Sequence, residues 1–226
     1  GDWEQPIQKI LLSVDITKAV VEYASRNNFD LVISHHPLFL NRHSPNSAPY
    51  KIETTFLALR NKLALMNAHT NADVVNPGVS DAIADLIGLQ DVAPLVPLER
   101  DSRFGIGRVG ILPEGIVLSD LAKEISQHLN DTSVRFAGDA SLEVRKVAIV
   151  GGSGDSFMAT ASAAGAHVYV TSDIRHHPLQ EHLEAGGCAV IEINHALAES
   201  LWLSGLATRL EGFEVEISKV NTLGWN

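Results

Sequence analysis

Cysteine, long apolar runs and basic side chains are all scarce in this chain of 226 residues. Its single cysteine, Cys188, excludes a disulfide framework and a cysteine-rich zinc fold. The lack of any run of about 18 apolar residues excludes a membrane-spanning helix. Only 17 Lys and Arg stand against 27 Asp and Glu, and the net charge of −10 argues against binding to a nucleic acid backbone.

Apolar residues, in contrast, are abundant and make up 45% of the chain. A chain of this length and composition can bury a sizeable core, which excludes a disordered protein. No signal peptide opens the sequence, so we expect a cytoplasmic protein in a reducing compartment. The first residue is Gly1 rather than methionine, which is consistent with a chain trimmed at its start.

An internal repeat organises the sequence. The first copy contains, in order, a strand over 8–15, a helix over 18–26 capped by Thr17, a strand over 30–34, His-His-Pro-Leu at 35–38 and a strand over 63–68. The second copy contains, in the same order, a strand over 145–150, a helix over 156–164, a strand over 166–171, His-His-Pro-Leu at 176–179 and a strand over 188–194. Each copy ends on a histidine with a carboxylate four residues later, as His69 with Asp73 and His195 with Glu199.

This repeat predicts an α/β fold made of two duplicated halves. Strand–helix–strand units connect parallel strands, so each half is expected to hold a parallel sheet. We expect the first half over 1–100 and the second, with the connection, over 101–226. Residues 94–113 are rich in Pro, Gly and Arg and are predicted to be that connection, and 119–129 are predicted to form an amphipathic helix.

Six of the ten histidines follow the carboxyl end of a predicted strand, the edge where open α/β sheets bind ligands: His35, His36, His69, His176, His177 and His195. The other four are interpreted as surface histidines or hydrogen-bonded core histidines: His43, His128, His167 and His182. Pro37 forces extended geometry on His36, and neighbouring side chains of an extended chain diverge. The imidazoles of His35 and His36 are therefore expected to bind different metal ions.

Carboxylates accompany these histidines. Asp73 is expected in a loop before the Pro77-Gly78 turn, and Glu199 is expected on the same helix face as His195. The imidazoles of His35, His36 and His195, together with the two carboxylates, are too many ligands for one tetrahedral zinc. Two ions bridged by a carboxylate would use all five. Such mixed ligation suits Zn, Fe, Mn or Ni. The alternative is a coincidental group of polar side chains at strand ends.

A glycine-rich segment, Gly151-Gly152-Ser153-Gly154-Asp155, follows the strand over 145–150. Backbone N–H groups in such a turn can bind an anion. No Lys-Ser/Thr pair follows, so the segment is not a Walker loop, and the dinucleotide-binding spacing is only loosely met. A plain tight turn is the favoured interpretation.

Four motifs occur in a fixed order: Ile33-Ser34-His35-His36-Pro37-Leu38, Ala68-His69-Thr70-Asn71-Ala72-Asp73, Thr171-Ser172-Asp173-Ile174-Arg175-His176-His177 and Asn194-His195-Ala196-Leu197-Ala198-Glu199. Together with Gly105–Gly110 and Asn221-Thr222, this order resembles the type-two GTP cyclohydrolase homologue family, also called NGG-interacting-factor-like. Family members usually begin with a further helix and a glycine-rich strand, and that segment is absent or trimmed here. The long inserted domain of larger members is also absent, so the chain resembles the short form.

The resemblance implies duplicated α/β/α sandwich units with a dinuclear metal site between the two halves, and a ring-shaped homohexamer. The ligands that it implies for two divalent metal ions per chain are His35, His36, Asp73, His195 and Glu199, with Glu199 as the bridge. It also implies three pocket residues that would contact the substrate: His69, Asp173 and His177. Ser172 and Asn194 stand where glycine is common in the family, which changes the expected pocket shape but removes no ligand.

Two functions follow as hypotheses. The first is a metal-dependent hydrolase of a small anionic, nucleotide-like molecule, GTP cyclohydrolase-like or phosphoesterase-like, in which His69 or His177 moves the proton. Two divalent ions against two ligand carboxylates leave a locally positive pocket, which favours phosphate-bearing substrates. The second is a non-catalytic scaffold that binds metal or a protein partner without turnover.

Overall fold

A computed structural model describes residues 1–40 and 48–224, so His43 lies outside the described residues. The chain divides into two compact units. The first combines Gly1–Ala72 with the chain from Leu203 onward, and the second is Asp73–Trp202. These units follow spatial contacts, whereas the predicted division at residue 100 follows the sequence repeat and stays a prediction.

The first unit contains a four-stranded parallel sheet with the strand order β10-β1-β2-β3. Its strands are β1 (Lys9–Ser13), β2 (Leu31–Ser34), β3 (Ala64–Asn67) and β10 (Glu214–Ile217). Its helices are α1 (Lys18–Arg26) and α2 (Pro49–Arg60), and α3 (Thr70–Val74) crosses into the second unit. The helix predicted over 18–26 is confirmed, and Thr17 caps it by accepting a hydrogen bond from the Val20 amide at 3.2 Å.

The core of the first unit lies against both central strands. Leu11 in β1 and Val32 in β2 are fully buried, as expected for parallel strands covered on each face. Helix α1 contributes Val20, Val21 and Ala24 from one face of its turns. This packing places the carboxyl ends of β1, β2 and β3 at one edge of the sheet.

The second unit contains a six-stranded mixed sheet with the order β4-β5-β7-β8-β9-β6. Its strands are β4 (Gln90–Leu98), β5 (Asp101–Val117), β6 (Arg135–Ala137), β7 (Glu143–Ser153), β8 (Val168–Ser172) and β9 (Ala189–Glu192). Its helices are α4 (Val79–Leu86), α5 (Leu118–Leu129), α6 (Met158–Ala163) and α7 (His176–Glu184), and α8 (His195–Arg209) begins here and ends in the first unit. Strands β7, β8 and β9 are parallel, as the repeat predicted, while β4, β5 and β6 pair antiparallel with their neighbours.

Residues 94–113, predicted to connect the two halves, form most of the β4–β5 hairpin. Pro94 and Pro97 are tolerated since β4 is an edge strand of its sheet. Gly107 has a φ of 66°, and a Cβ there would lie 2.6 Å from the Ile149 carbonyl oxygen. The proline and glycine content therefore reflects an edge strand and an irregular hairpin rather than a loop.

The glycine-rich turn predicted over 151–155 is also corrected. Strand β7 continues to Ser153, a 3-10 turn covers Asp155–Phe157, and α6 starts only at Met158. The predicted helix over 119–129 is confirmed, with Leu121 and Ile125 buried against the sheet. Among the helices of the described residues, none has both the length and the apolarity that crossing a bilayer requires.

Candidate metal centre

Three histidines of the first unit come together at the carboxyl edge of its sheet. The His35 and His36 amides continue the pairing of β2 with β1, donating to the carbonyl oxygens of Ser13 and Val14 at 3.1 and 2.8 Å. His69 follows β3, the next strand of the same sheet. Two adjacent parallel strands therefore deliver all three imidazoles to one place.

The three rings are close neighbours. The His35 ring lies 5.0 Å from that of His36 and 5.1 Å from that of His69, centroid to centroid. One potential ligand atom from each residue lies within 4.8 Å of the other two. The rings of His35 and His36 thus lie close together, because the chain turns where β2 ends, and their binding to different metals stays a prediction.

Hydrogen bonds fix how two of these rings are oriented. His35 is buried, and its Nδ1 lies 3.0 Å from the Ala68 carbonyl oxygen, which can only accept, so Nδ1 carries the proton and Nε2 the lone pair. His36 Nδ1 lies 2.9 Å from Asp15 Oδ1, and Asp15 Oδ2 accepts from the Thr222 hydroxyl at 2.8 Å. A carboxylate behind an imidazole is the usual support of a metal-binding histidine.

The second unit places His195 between two carboxylates. Helix α8 starts at His195, and the Nε2 atom of His195 lies 2.9 Å from Oε1 of Glu199, one turn later. The Nδ1 atom of His195 lies 2.6 Å from Asp173 Oδ2. The predicted shared helix face of His195 and Glu199 is confirmed.

These carboxylates control the protonation of His195. Burial lowers the pKa of this imidazole, but the hydrogen bonds and negative charges of Glu199 and Asp173 outweigh burial and raise the pKa to about 8. The Glu199 side chain is only 3% exposed, whereas that of Asp173 is 56% exposed. At neutral pH His195 therefore holds a proton, which any metal ion bound at its nitrogen would have to displace.

A glycine at the end of β7 makes room for this pair. Gly152 has a φ of 74°, and a Cβ there would lie 2.7 Å from Glu199 Oε1 and 3.5 Å from His195 Nε2. Any larger residue would displace the carboxylate. The glycine-rich segment therefore serves the Glu199 site through close approach of its backbone.

The remaining predicted residues are placed as follows. Asp73 lies in α3, one turn of helix after His69, and not in the expected loop, because Thr70–Val74 closes a short helix directly after the strand end. His176 and His177 open helix α7 instead of directly following a strand, and both are exposed. Their rings lie 5.2 Å apart. His177 is therefore placed at a helix start on the surface.

Three of the four other histidines behave as predicted, since His128 is exposed on α5 and the other two, His167 and His182, are hydrogen-bonded. His182 Nε2 lies 2.9 Å from the Cys188 carbonyl oxygen, and His167 Nδ1 accepts from the Arg145 amide at 3.0 Å. Burial raises the pKa of the Cys188 thiol, which makes it an unreactive cysteine.

Sequence reasoning missed Asp15 as a support of His36. The signal was present, because Asp15 follows β1 at the edge where β2 and β3 also end. The sequence also predicted His69 as a substrate-contacting residue and not as a metal ligand, whereas the structure groups its ring with those of His35 and His36. The buried Arg108–Asp81 ion pair, with Nη2 and Oδ2 2.6 Å apart, was missed as well.

The donor set suits a transition metal. In the first unit, the group His35, His36 and His69 could hold a metal ion through imidazole nitrogens. In the second unit, His195 and Glu199 offer an imidazole nitrogen and a carboxylate oxygen that lie close together. Imidazole with carboxylate is the ligation that Zn, Fe, Mn and Ni share in proteins, and the hydrogen-bonded Nδ1 atoms supply the outer support.

Comparison with known sequences gives consistent matches. A family profile described as Duf34/NIF3 (NGG1p interacting factor 3) matches residues 1–223. A Streptomyces coelicolor protein named GTP cyclohydrolase 1 type 2 homolog is 35% identical over 238 residues, covering 100% of this chain and 84% of the relative. A Clostridium perfringens protein of the same name is 32% identical over 200 residues, covering 88% of this chain and 76% of the relative.

Solved structures match over the whole chain as well. A hypothetical protein of Staphylococcus aureus superposes with a TM-score of 0.92 at 27% identity, covering 100% of this chain and 89% of that one. A Bacillus cereus protein related to NIF3 gives a TM-score of 0.91 at 20% identity, covering 100% of this chain and 91% of that one. The second likeness concerns the fold alone.

Proposed function

The chain belongs to the Duf34/NIF3 family, and from this premise we propose that it is a metal-dependent hydrolase of a small, nucleotide-like molecule. The histidine group at the edge of the first sheet carries the proposal. Five residues would hold two divalent ions per chain: His35, His36, Asp73, His195 and Glu199. When bound, the ions would supply Lewis acidity for attack on a carbon or phosphorus centre.

The residues of the chain itself would hold and orient this centre. Asp15 keeps the proton of His36 on Nδ1, and the Ala68 carbonyl does the same for His35, so each ring offers Nε2. Asp173 accepts from Nδ1 of His195 and fixes that ring against Glu199. His69 and His177 are the candidates for moving a proton to or from the substrate.

Charge and the names of relatives support an anionic nucleotide-like substrate. Two divalent cations against the two carboxylates Asp73 and Glu199 leave a net positive site in a chain of net charge −10. Anions would be drawn to this site and repelled from the rest of the surface. The relatives named GTP cyclohydrolase 1 type 2 homolog are consistent with a nucleotide substrate.

One observation favours the second candidate, a metal-binding scaffold without turnover. His69 lies in the same group as His35 and His36, so it can serve as a ligand instead of a base. His177, the other candidate base, lies exposed at the start of α7. A centre whose imidazoles all hold metal would retain no proton carrier of its own.

Assembly and location belong to the same proposal. Several large apolar side chains of the first unit are exposed, among them Phe56 at 62%, Leu59 at 61% and Met66 at 52%. Contiguous exposed apolar patches mark interaction sites, so these side chains are candidates for burial against another chain. We propose a cytoplasmic homohexamer in which such a face is buried.

The test compares wild type with His36→Ala and with His128→Ala, which removes an exposed histidine of α5 as a matched control. Elemental analysis after metal-supplemented expression should find two divalent ions in wild type and His128→Ala, and at least one fewer in His36→Ala. Hydrolysis over a nucleotide panel should be lost together with the metal. Wild type without stoichiometric metal would refute metal binding, and metal without hydrolysis would support the scaffold.

A further inference from the structure

One buried cation in the second unit has no part in the proposed metal site. Arg108, within the Gly105–Gly110 segment of β5, is the largest fully buried side chain among the described residues, at 0% exposure. Its Nε and Nη2 atoms donate to the two carboxylate oxygens of Asp81, each at 2.6 Å. A bidentate ion pair of this kind fixes the orientation of the guanidinium relative to the carboxylate as well as their distance.

The other donors of Arg108 bind backbone. Nη1 donates to the carbonyl oxygens of Gly105 and Gly107 at 2.9 and 2.7 Å, and Nη2 donates to that of Val75 at 2.7 Å. Val75 lies only two residues after Asp73. The guanidinium therefore holds the segment that leaves the candidate ligand Asp73.

The partner carboxylate extends the network to the start of α4. Asp81 Oδ2 also accepts from the Gly78 amide at 2.7 Å, which closes the first turn of that helix. The neighbouring residue Ser80 accepts from the Gly151 amide at 3.1 Å through its hydroxyl. Gly151 precedes Gly152, whose missing Cβ makes the room for Glu199.

These contacts form a continuous path inside one unit. It runs from the Asp73 segment through Arg108 and Asp81 to Ser80, and from there to the backbone that lies against Glu199. Both ends of the path are carboxylates that the proposed function uses as metal ligands. Buried ion pairs add little net stability, which leaves positioning as the effect that this network can supply.

We propose that Arg108 and Asp81 are positioning residues that set the placement of the carboxylates Asp73 and Glu199 for metal binding, an inference that rests on the proposed function. Arg108→Lys keeps the charge but replaces a planar fork of five N–H donors by one ammonium group, which cannot serve Asp81, Val75 and both glycine carbonyls in the same directions. The carboxylates would then shift, although no ligand has been removed.

The test is a calorimetric titration of chelator-treated full-length protein with Mn²⁺ alone, well below the unfolding temperature of each variant. Arg108→Lys should weaken the binding of at least one Mn²⁺ by about tenfold or more, as outer-shell changes do. Ser80→Ala removes one hydrogen bond of the path and should weaken it by about threefold. Arg103→Lys alters an exposed Arg–carboxylate pair of the same strand, with Asp101, and should bind like wild type.

Thermal unfolding of the same samples separates positioning from simple stability. A structural role alone would lower the melting temperature of Arg108→Lys and leave its Mn²⁺ affinity unchanged. If both Arg108→Lys and Ser80→Ala bind two Mn²⁺ as wild type does, the inference is wrong and the proposed function stands. If Arg108→Lys does not fold, Ser80→Ala alone decides, and wild type that binds no Mn²⁺ overturns both.

Discussion

Replacing Glu199 by glutamine removes one negative charge from a buried position and hardly changes the volume of the side chain. The Glu199 side chain is 3% exposed, and its Oε1 atom lies 2.9 Å from Nε2 of His195. The amide oxygen of glutamine can still accept the same hydrogen bond, so the substitution removes mainly the negative charge. Its effect on the metal-free protein can therefore be worked out from the environment of His195.

The magnitude follows from the pKa of that imidazole. The folded protein raises it from 6.5 to about 8, which corresponds to about 2 kcal/mol of stabilisation of the protonated form. Because the folded pKa lies above the unfolded one, this contribution is fully present below pH 6.5 and is lost as the pH rises through 8. Without the Glu199 charge, only Asp173 opposes the effect of burial, so the pKa of His195 should fall.

The assay has two parts, both on chelator-treated protein. An NMR titration of the imidazole Cε1 protons gives the pKa of His195 in wild type and in Glu199→Gln. Urea unfolding at pH 6 and at pH 9 gives the free energy of unfolding of both. Glu124→Gln, an exposed glutamate on α5, is the matched control and should change neither quantity.

Glu199→Gln should lose about 2 kcal/mol at pH 6 and much less at pH 9. An equal loss at both pH values would mean that the carboxylate stabilises the fold independently of His195. An unchanged pKa of His195 would refute the ion pair outright. The same variant should also lose metal occupancy and lower hydrolysis by about a hundredfold or more, because the proposed function uses this carboxylate as a metal ligand.

Three further outcomes are expected. Asp173→Asn should leave the metal content unchanged in elemental analysis while it changes turnover, and loss of metal would contradict this expectation. It should also lower the pKa of His195 less than Glu199→Gln does, because the Asp173 side chain is 56% exposed. Ile149→Ala, at a fully buried position of β7, should cost about 3 kcal/mol in urea unfolding, and a loss below about 1 kcal/mol would contradict the packing around this side chain. Light scattering at micromolar protein should give the mass of six chains, and a monomer would refute the hexamer.

The parallel strands and their helices were predictable because local rules and tertiary contacts agree there. The strand over 30–34 is observed as Leu31–Ser34, and the helix over 18–26 is observed with its Thr17 cap. Buried parallel strands are continuous apolar runs, so periodicity alone identifies them. The one-turn spacing of His195 and Glu199 was predictable for the same local reason.

The β4–β5 hairpin was not predictable, because proline and glycine indicate loops unless the strand is known to lie at an edge. The grouping of His69 with His35 and His36 depends on the register of β2 against β3, which only the folded sheet defines. The Arg108–Asp81 pair joins residues 27 positions apart, and no local spacing rule describes such a contact.

The last strand of the chain has a consequence for biosynthesis. The second unit, Asp73–Trp202, is continuous in sequence, so all of its residues have been made once synthesis reaches residue 202. In the first unit, β1 can pair with β10 only after Glu214–Ile217 have been made. Asp15, which orients His36, likewise cannot accept its hydrogen bond from the Thr222 hydroxyl until residue 222 has been made. Since domains generally fold as units during synthesis, we expect the second unit to fold before the histidine group is complete. A nascent chain released early would thus keep a folded second unit but lack the completed histidine group of the first.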